Sequence, residues 1–201
     1  MVDLDRLSLV RRYAAWFWGG AALLMALVLT VPAAADEAGW EAAKRPGAVL
    51  LMRHALAPGT GDPATFDLDD CTTQRNLDDQ GRAQAAAIGE AFRERGILID
   101  QVLTSQWCRC RETAELLDLG PVQDFPALNS FFRDRSTATA QTEETRNHLA
   151  ASPDDQRPLL VTHQVNITAL VNVFPQSGEV IVIDVSDEGE VEVLGSILIE
   201  P

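Results

Sequence analysis

Three short apolar runs punctuate the chain, and each ends in residues able to do chemistry. Residues 48–52 (Ala-Val-Leu-Leu-Met) lead into Arg53-His54, residues 101–104 lead into Ser105, and residues 159–162 lead into His163. Continuous apolar runs of this length are the mark of strands buried on both faces. Helical spacing appears between them. Leu77, Ala85, Ile88 and Phe92 recur on one helix face, and Gly96 is a natural stop. Further helices are expected from about Trp107 to Leu119, over 139–150 before the Ser152-Pro153 breaker, and over 164–173. Residues 180–185 and 191–199 read as two closing strands joined by a turn at Asp187-Glu188-Gly189. Residues 36–46 read as a polar lead-in, and 55–75 and 122–137 as loops.

This order is strand, helix, strand, helix, helix, strand, helix, strand, strand. It predicts an α/β fold of three layers, α/β/α, with a mostly parallel central sheet. In open sheets of this kind ligands bind beyond the carboxyl ends of the strands. Arg53-His54, Thr104-Ser105 and Thr162-His163 all stand at such ends. No internal repeat is present.

The first 35 residues differ in kind. Arg6, Arg11 and Arg12 form a basic start, residues 14–31 carry no charge, and Ala33-Ala34-Ala35 follows Pro32. Basic, apolar and small-residue zones in this order form an export signal, with the cut expected after Ala35. An uncleaved anchor is the competing reading, since the apolar stretch is little short of the ~20 residues that span a bilayer. Either way residues 36–201 form an exported, periplasmic or otherwise extracytoplasmic domain, and any membrane association is confined to the N-terminal segment.

Export permits disulfides. There are three cysteines, Cys71, Cys108 and Cys110, so one is left over. Cys108 and Cys110 are too close for an ordinary bridge. Cys71 could pair with either, and Cys71–Cys108 is preferred; three reduced thiols are the alternative. Cys-x-Cys spacing matches no common zinc motif, so no metal is implied.

The formal net charge is −14. The N-terminal segment holds three Arg and two Asp, so its removal leaves −15. Such acidity excludes non-specific nucleic-acid binding, which needs a basic face. It also makes clustered arginines informative. Two of the three histidines end predicted strands, one of them directly after Arg53, and Arg109 begins the helix after another strand. Arginine forks and helix N-termini bind phosphoryl groups, and a neutral histidine can act as a nucleophile.

These residues fall into longer segments. Leu51-Met52-Arg53-His54 resembles the Arg-His signature of the histidine phosphatase superfamily, with Ala55 where Gly usually follows. The stretch from Asn76-Leu77 through Gly81-Arg82-Ala83-Gln84-Ala85 is similar to the family's Leu-Thr-x-x-Gly-x-x-Gln-Ala. Ser105 through Arg109 to Thr113-Ala114 resembles its Ser-x-x-x-Arg-x-x-x-Thr-Ala. Leu160-Val161-Thr162-His163 looks like the segment with its second catalytic histidine. The resemblance spans about 48–185 and implies a phosphoglycerate mutase-like fold of the branch 1 kind.

It further implies a metal-independent phosphatase with no cofactor, acting on a small phosphorylated substrate. His54 would take the phosphoryl group, while Arg53, Arg109 and His163 hold it, and His163 would help most as a cation, its pKa raised by a neighbouring carboxylate or by the phosphate itself. Two departures stand out. Leu128-Asn129 is followed by Ser130 where many members carry an acidic Glu, and Gln164 follows His163 where another branch has Asp. Glu179 is the preferred substitute acid, with Asp134 and Asp69 as others. Gln164, Asn166 and Ser105 are expected to line the substrate pocket. Arg75, Arg111 and Arg133 read as surface charges, and Trp107, Phe131 and Phe132 as core. A phosphohistidine or phosphoprotein phosphatase and a non-enzymatic phosphate- or phosphosugar-binding module are the alternatives.

Overall fold

The computed structural model describes residues 32–201 apart from Asp187. The export signal or anchor expected over 1–31 lies outside the described residues, as does part of the 187–189 turn. Six strands form one sheet: β1 (Val49–Arg53), β2 (Gln101–Thr104), β3 (Val122–Asp124), β4 (Pro158–Thr162), β5 (Val180–Val185) and β6 (Val191–Ile197). Their spatial order is β3-β2-β4-β1-β5-β6. The first four are mutually parallel, and β5 and β6 add an antiparallel edge. The helices are α1 (Pro32–Ala43), α2 (Asp79–Glu94), α3 (Cys108–Leu117), α4 (Ala138–Ala150) and α5 (Gln164–Val171). Among the described residues no helix is long and apolar enough to cross a membrane.

Alternation along the strands divides the core. Leu50 and Met52 of β1 face a cluster with Trp40, Ile88, Phe92 and Leu117, from α1, α2 and α3. Val49 and Leu51 face Leu149, Ile167 and Leu170, from α4 and α5. The expected three layers and mostly parallel sheet are therefore present.

Two segments differ from the sequence expectation. The lead-in 36–46 is mostly α1, and the expected boundary after Ala35 falls in that helix's first turn. Trp40 and Ala43 are buried, with Trp40 edge-on to Phe92 at 4.9 Å and the Arg95 guanidinium 4.0 Å from its ring centre. Gly39 permits the docking of α1 on β6, because a Cβ there would lie 2.0 Å from the Ser196 carbonyl oxygen. The loop expected over 122–137 contains β3, which pairs with β2 through Val102 and Val122. Three residues with one apolar side chain are too few for a periodic signal.

Candidate active site

The central order β2-β4-β1 brings the three predicted strand ends side by side. The His54 N–H donates to the Thr162 carbonyl at 3.0 Å, and the Ser105 N–H to that of Val161 at 3.0 Å. Helix α2 secures the loop beyond His54. Gln84 accepts from the Leu56 N–H at 3.0 Å and donates to the carbonyls of Ser177 and Ile199. Gly81 is needed beside it, since a Cβ there would lie 1.9 Å from the Leu56 oxygen. On α3, Thr113 accepts from the Ala55 N–H at 3.1 Å. The Gly-x-x-Gln and Arg-x-x-x-Thr spacings thus hold the histidine loop between two helices.

A cavity of about 190 Å³ opens at these strand ends, lined in part by Arg53, His54, Asp62, Arg75, Arg109 and His163. The His54 Nδ1 lies 2.8 Å from the Ala55 carbonyl oxygen. A carbonyl only accepts, so Nδ1 carries the proton and Nε2 presents a lone pair. Arg109 Nε donates to that Nε2 at 3.2 Å. Its Nη2 donates to His163 Nδ1 at 3.3 Å, which leaves the His163 proton on Nε2, 2.9 Å from Ser105 Oγ. Ser105 passes its own proton towards Asn129 Oδ1 at 3.3 Å.

The remaining Arg109 donors are also engaged. Nη1 and Nη2 reach the two Asp62 carboxylate oxygens at 2.7 and 3.2 Å, and Nη1 reaches the Arg75 carbonyl at 3.2 Å. All five N–H groups therefore have partners. Trp107 Nε1 donates to Asp62 at 3.1 Å, as does the Arg75 N–H at 3.1 Å. Arg75 itself donates through Nε to the Gly61 carbonyl at 2.8 Å and through Nη1 to that of Ala57. Arg53 Nη1 donates to the Pro175 carbonyl at 2.9 Å, and its buried Nε has no partner.

Electrostatics follow from this crowding. Burial, reinforced by Arg109, holds both His54 and His163 well below the ordinary histidine range, so both are neutral. No carboxylate contacts the His163 ring and three arginines surround it, so of the two groups expected to raise its pKa only the phosphate itself is left. Burial alone would raise the Asp62 carboxyl, but hydrogen bonds from Arg109, Arg75 and Trp107 and the Arg109 charge bring it below its usual value. Burial and Arg109 lower Arg75 to about 10, still cationic at neutral pH. Three guanidiniums against one carboxylate leave a net charge of about +2, suited to a phosphoryl dianion in an otherwise acidic chain.

The structure brings Arg53, His54, Arg109, His163 and Gln164 to one cavity. Ser105 is fully buried beneath it and holds His163 rather than lining the pocket. Asn166 turns away, donating to the Asn129 carbonyl at 3.0 Å and lining a separate small cavity. Glu179 is outside as well: its carboxylate accepts from the Gln176 N–H at 2.7 Å and closes the turn before β5. Asp134 caps a short 3-10 turn through the Ser136 N–H, and Asp69 is exposed. The carboxylate inside the cavity is Asp62. It sits in a loop without periodicity, and nothing in the sequence marked it. Arg75 is a cavity residue rather than a surface charge, whereas Arg111 pairs with Asp124 at 2.8 Å on the surface. Phe131 is buried in the core, but Phe132 is half exposed at the cavity and Trp107 lies edge-on to His163 at 5.4 Å. A disulfide joins Cys71 to Cys108 across 37 residues, and Cys110 is a buried free thiol pushed up to about 12 by burial.

Residues 49–131, which hold the first histidine, both cavity arginines of the loops and helices, and Asp62, match one family model. It is that of the histidine phosphatase superfamily, branch 1. Solved structures share the fold, phosphatases among them. The protein histidine phosphatase SixA, complexed with tungstate, is 16% identical with a TM-score of 0.55, over 75% of this chain and 96% of its own. The mycobacterial glucosyl-3-phosphoglycerate phosphatase is 15% identical at 0.54, over 76% and 100%. The Mycobacterium tuberculosis protein Rv3214 is 17% identical at 0.57, over 75% and 98%. No curated protein matches the chain in sequence.

Proposed function

We propose that this histidine phosphatase superfamily chain is an exported phosphatase that hydrolyses a small phosphomonoester through a phosphohistidine on His54. The observation that carries the reading is the His54 ring, which is neutral and anchored through Nδ1 to Ala55, with its Nε2 lone pair in a cavity of three arginines. In the first step Nε2 bonds to phosphorus, the phosphorus–oxygen bond to the leaving group breaks, and the electron pair departs with that oxygen. Water then attacks the phosphohistidine, phosphate leaves, and Nε2 regains its lone pair. Arg53, Arg75 and Arg109 carry the charge of the equatorial oxygens, and His163 donates once the charge of the bound dianion has raised its pKa and the ring has taken a proton from solvent. None of these steps requires a metal. The Cys71–Cys108 disulfide supports the extracytoplasmic placement, since such bonds persist in oxidising compartments.

One observation favours a second reading, a non-catalytic phosphate-binding module: every Arg109 donor already has a protein partner, so the site must rearrange before it can hold an anion. Hydrolysis of an aryl phosphate, with acid-quench trapping of a phosphoenzyme, separates the two. Turnover and trapped phosphate that both vanish in His54→Ala support the enzyme. Tungstate binding without turnover moves the assignment to the binding module.

A further inference from the structure

Beside the phosphoryl cavity lies a second one of about 140 Å³, lined by Gly61, Asp62, Phe66, Trp107, Ser130, Phe132 and Arg133. Gly61, Asp62, Ser130 and Phe132 line both, so the two are continuous. Its floor is rigid. Phe66 stacks on Trp107 with ring centres 5.1 Å apart and planes 17° from parallel, and the Cys71–Cys108 bridge ties the Phe66 loop to the helix that follows Trp107. Trp107 reaches into the site itself through Nε1 to Asp62 and by its edge to His163. Phe132, in the same lining, is 51% exposed, although Phe131 beside it is 4% exposed. An aromatic side chain left half in water, next to a polar pocket and in the same lining as a stacked aromatic pair, offers an apolar face to a ligand. The rim is polar, with Ser130 and with Arg133, whose Nη2 donates to the Ala64 carbonyl at 3.5 Å.

We propose that this aromatic cavity is the leaving-group subsite, and that it selects phosphomonoesters whose leaving group presents an apolar ring face, aromatic or saturated, with polar edges. The proposal rests on the phosphatase reading for the placement of the phosphoryl group next door. The ring would slide between Phe132 and the Phe66–Trp107 pair, with its polar substituents at Ser130 and Arg133. Direct phosphate contacts lie entirely in the first cavity, so ring recognition and anion recognition are separable.

The test is calorimetric binding of non-hydrolysable phosphonates to the full chain, wild type and Phe132→Ala. Phe132 is exposed, so its removal leaves the fold intact, and no catalytic group is touched. Benzylphosphonate and cyclohexylphosphonate are expected to bind about tenfold more tightly than methylphosphonate, a step of about 1.4 kcal/mol. Phe132→Ala should erase most of that ratio while methylphosphonate and tungstate change less than twofold. Preference for benzyl over cyclohexyl would assign an aromatic ring, and equal gains a ring of either kind. Equal affinity of all three phosphonates overturns the subsite, as does a ring preference that survives Phe132→Ala. Because binding is read without turnover, failed hydrolysis with a retained ring preference would count against the enzyme and not against the subsite.

Discussion

The Asp62 carboxylate grips the end of the Arg109 guanidinium with both oxygens, at 2.7 and 3.2 Å, inside the cavity where an anion would bind. The pair is nearly dry, with side-chain exposures of 13% for Asp62 and 3% for Arg109. A carboxylate there occupies the donors that a phosphoryl group needs. It hangs on a segment with two left-handed glycines, Gly59 (φ 92°) and Gly61 (φ 70°), a backbone that L side chains rarely adopt. Asp62→Asn is therefore expected to tighten tungstate binding about tenfold, the scale of removing one close like charge at ~1.4 kcal/mol. Weaker or unchanged binding in that variant would show that Asp62 supports the anion site instead of competing for it.

Glu179 lies outside the cavity and holds a turn through the Gln176 N–H. Glu179→Gln keeps an acceptor for that bond. Rates on aryl and alkyl phosphates are expected to stay within about twofold of wild type. A selective loss on the alkyl ester would restore Glu179 as the proton donor.

His54 and His163 are buried and neutral, both held well below the ordinary value of 6.5. In the unfolded chain both titrate near 6.5, so below that pH the unfolded state binds more protons than the folded one. Stability should be full above about pH 6.5 and decline as pH falls from there towards the depressed folded values. The limiting slope is about 1.4 kcal/mol per pH unit for each histidine. Urea unfolding between pH 7 and 5 measures it. His163→Asn should shallow the slope, and a flat profile would refute neutral burial.

The Cys71–Cys108 bridge closes a 37-residue separation, worth about 4 kcal/mol in the loop-entropy model and less if the reduced chain keeps structure. Cys71→Ser, at an exposed position, should lower the unfolding free energy by about 2–4 kcal/mol. Denaturant midpoints with and without reductant check this, and reductant should have no effect on the variant.

Gly81→Ala places a methyl 1.9 Å from the Leu56 carbonyl. A backbone oxygen cannot swing aside, so α2 must retreat and Gln84 with it. A loss of about 3 kcal/mol and disturbed anion binding are expected, against about 1 kcal/mol of gain for a Gly to Ala change in an unobstructed helix. Thermal melts with tungstate titration distinguish the two.

The sheet and the two cavity histidines were legible in the chain because their signals are local. An apolar run of five residues declares a buried strand, and the residue at its end must lie at the sheet's carboxyl edge. The Arg53-His54 pair and the position of His163 follow from that logic, whereas Arg109 over Arg111 rests on the resemblance of Ser105 through Ala114 to the family's Ser-x-x-x-Arg-x-x-x-Thr-Ala segment. Helix α1 and strand β3 were not legible, because each owes its structure to a neighbour: α1 to the close approach of Gly39 to β6, and β3 to pairing with β2.

The parts of the site that come from loops behaved likewise. Asp62, Arg75 and Phe132 lie in segments without periodicity, where one Asp, Arg or Phe looks like any other. Only the folded chain, with the 55–75 loop laid against α3 and bridged at Cys71–Cys108, decides which of them meets Arg109. Ser105 and Asn166 show the converse. Ser105 follows the end of β2 and Asn166 lies in the first turn of α5, yet hydrogen bonds to His163 and to the Asn129 carbonyl turn them away from the pocket. The sequence by itself determined which strand ends carry the chemistry, because burial imposes a pattern on neighbouring residues. Tertiary structure alone decided which charges share the cavity, because contacts between loops leave no periodic trace along the chain.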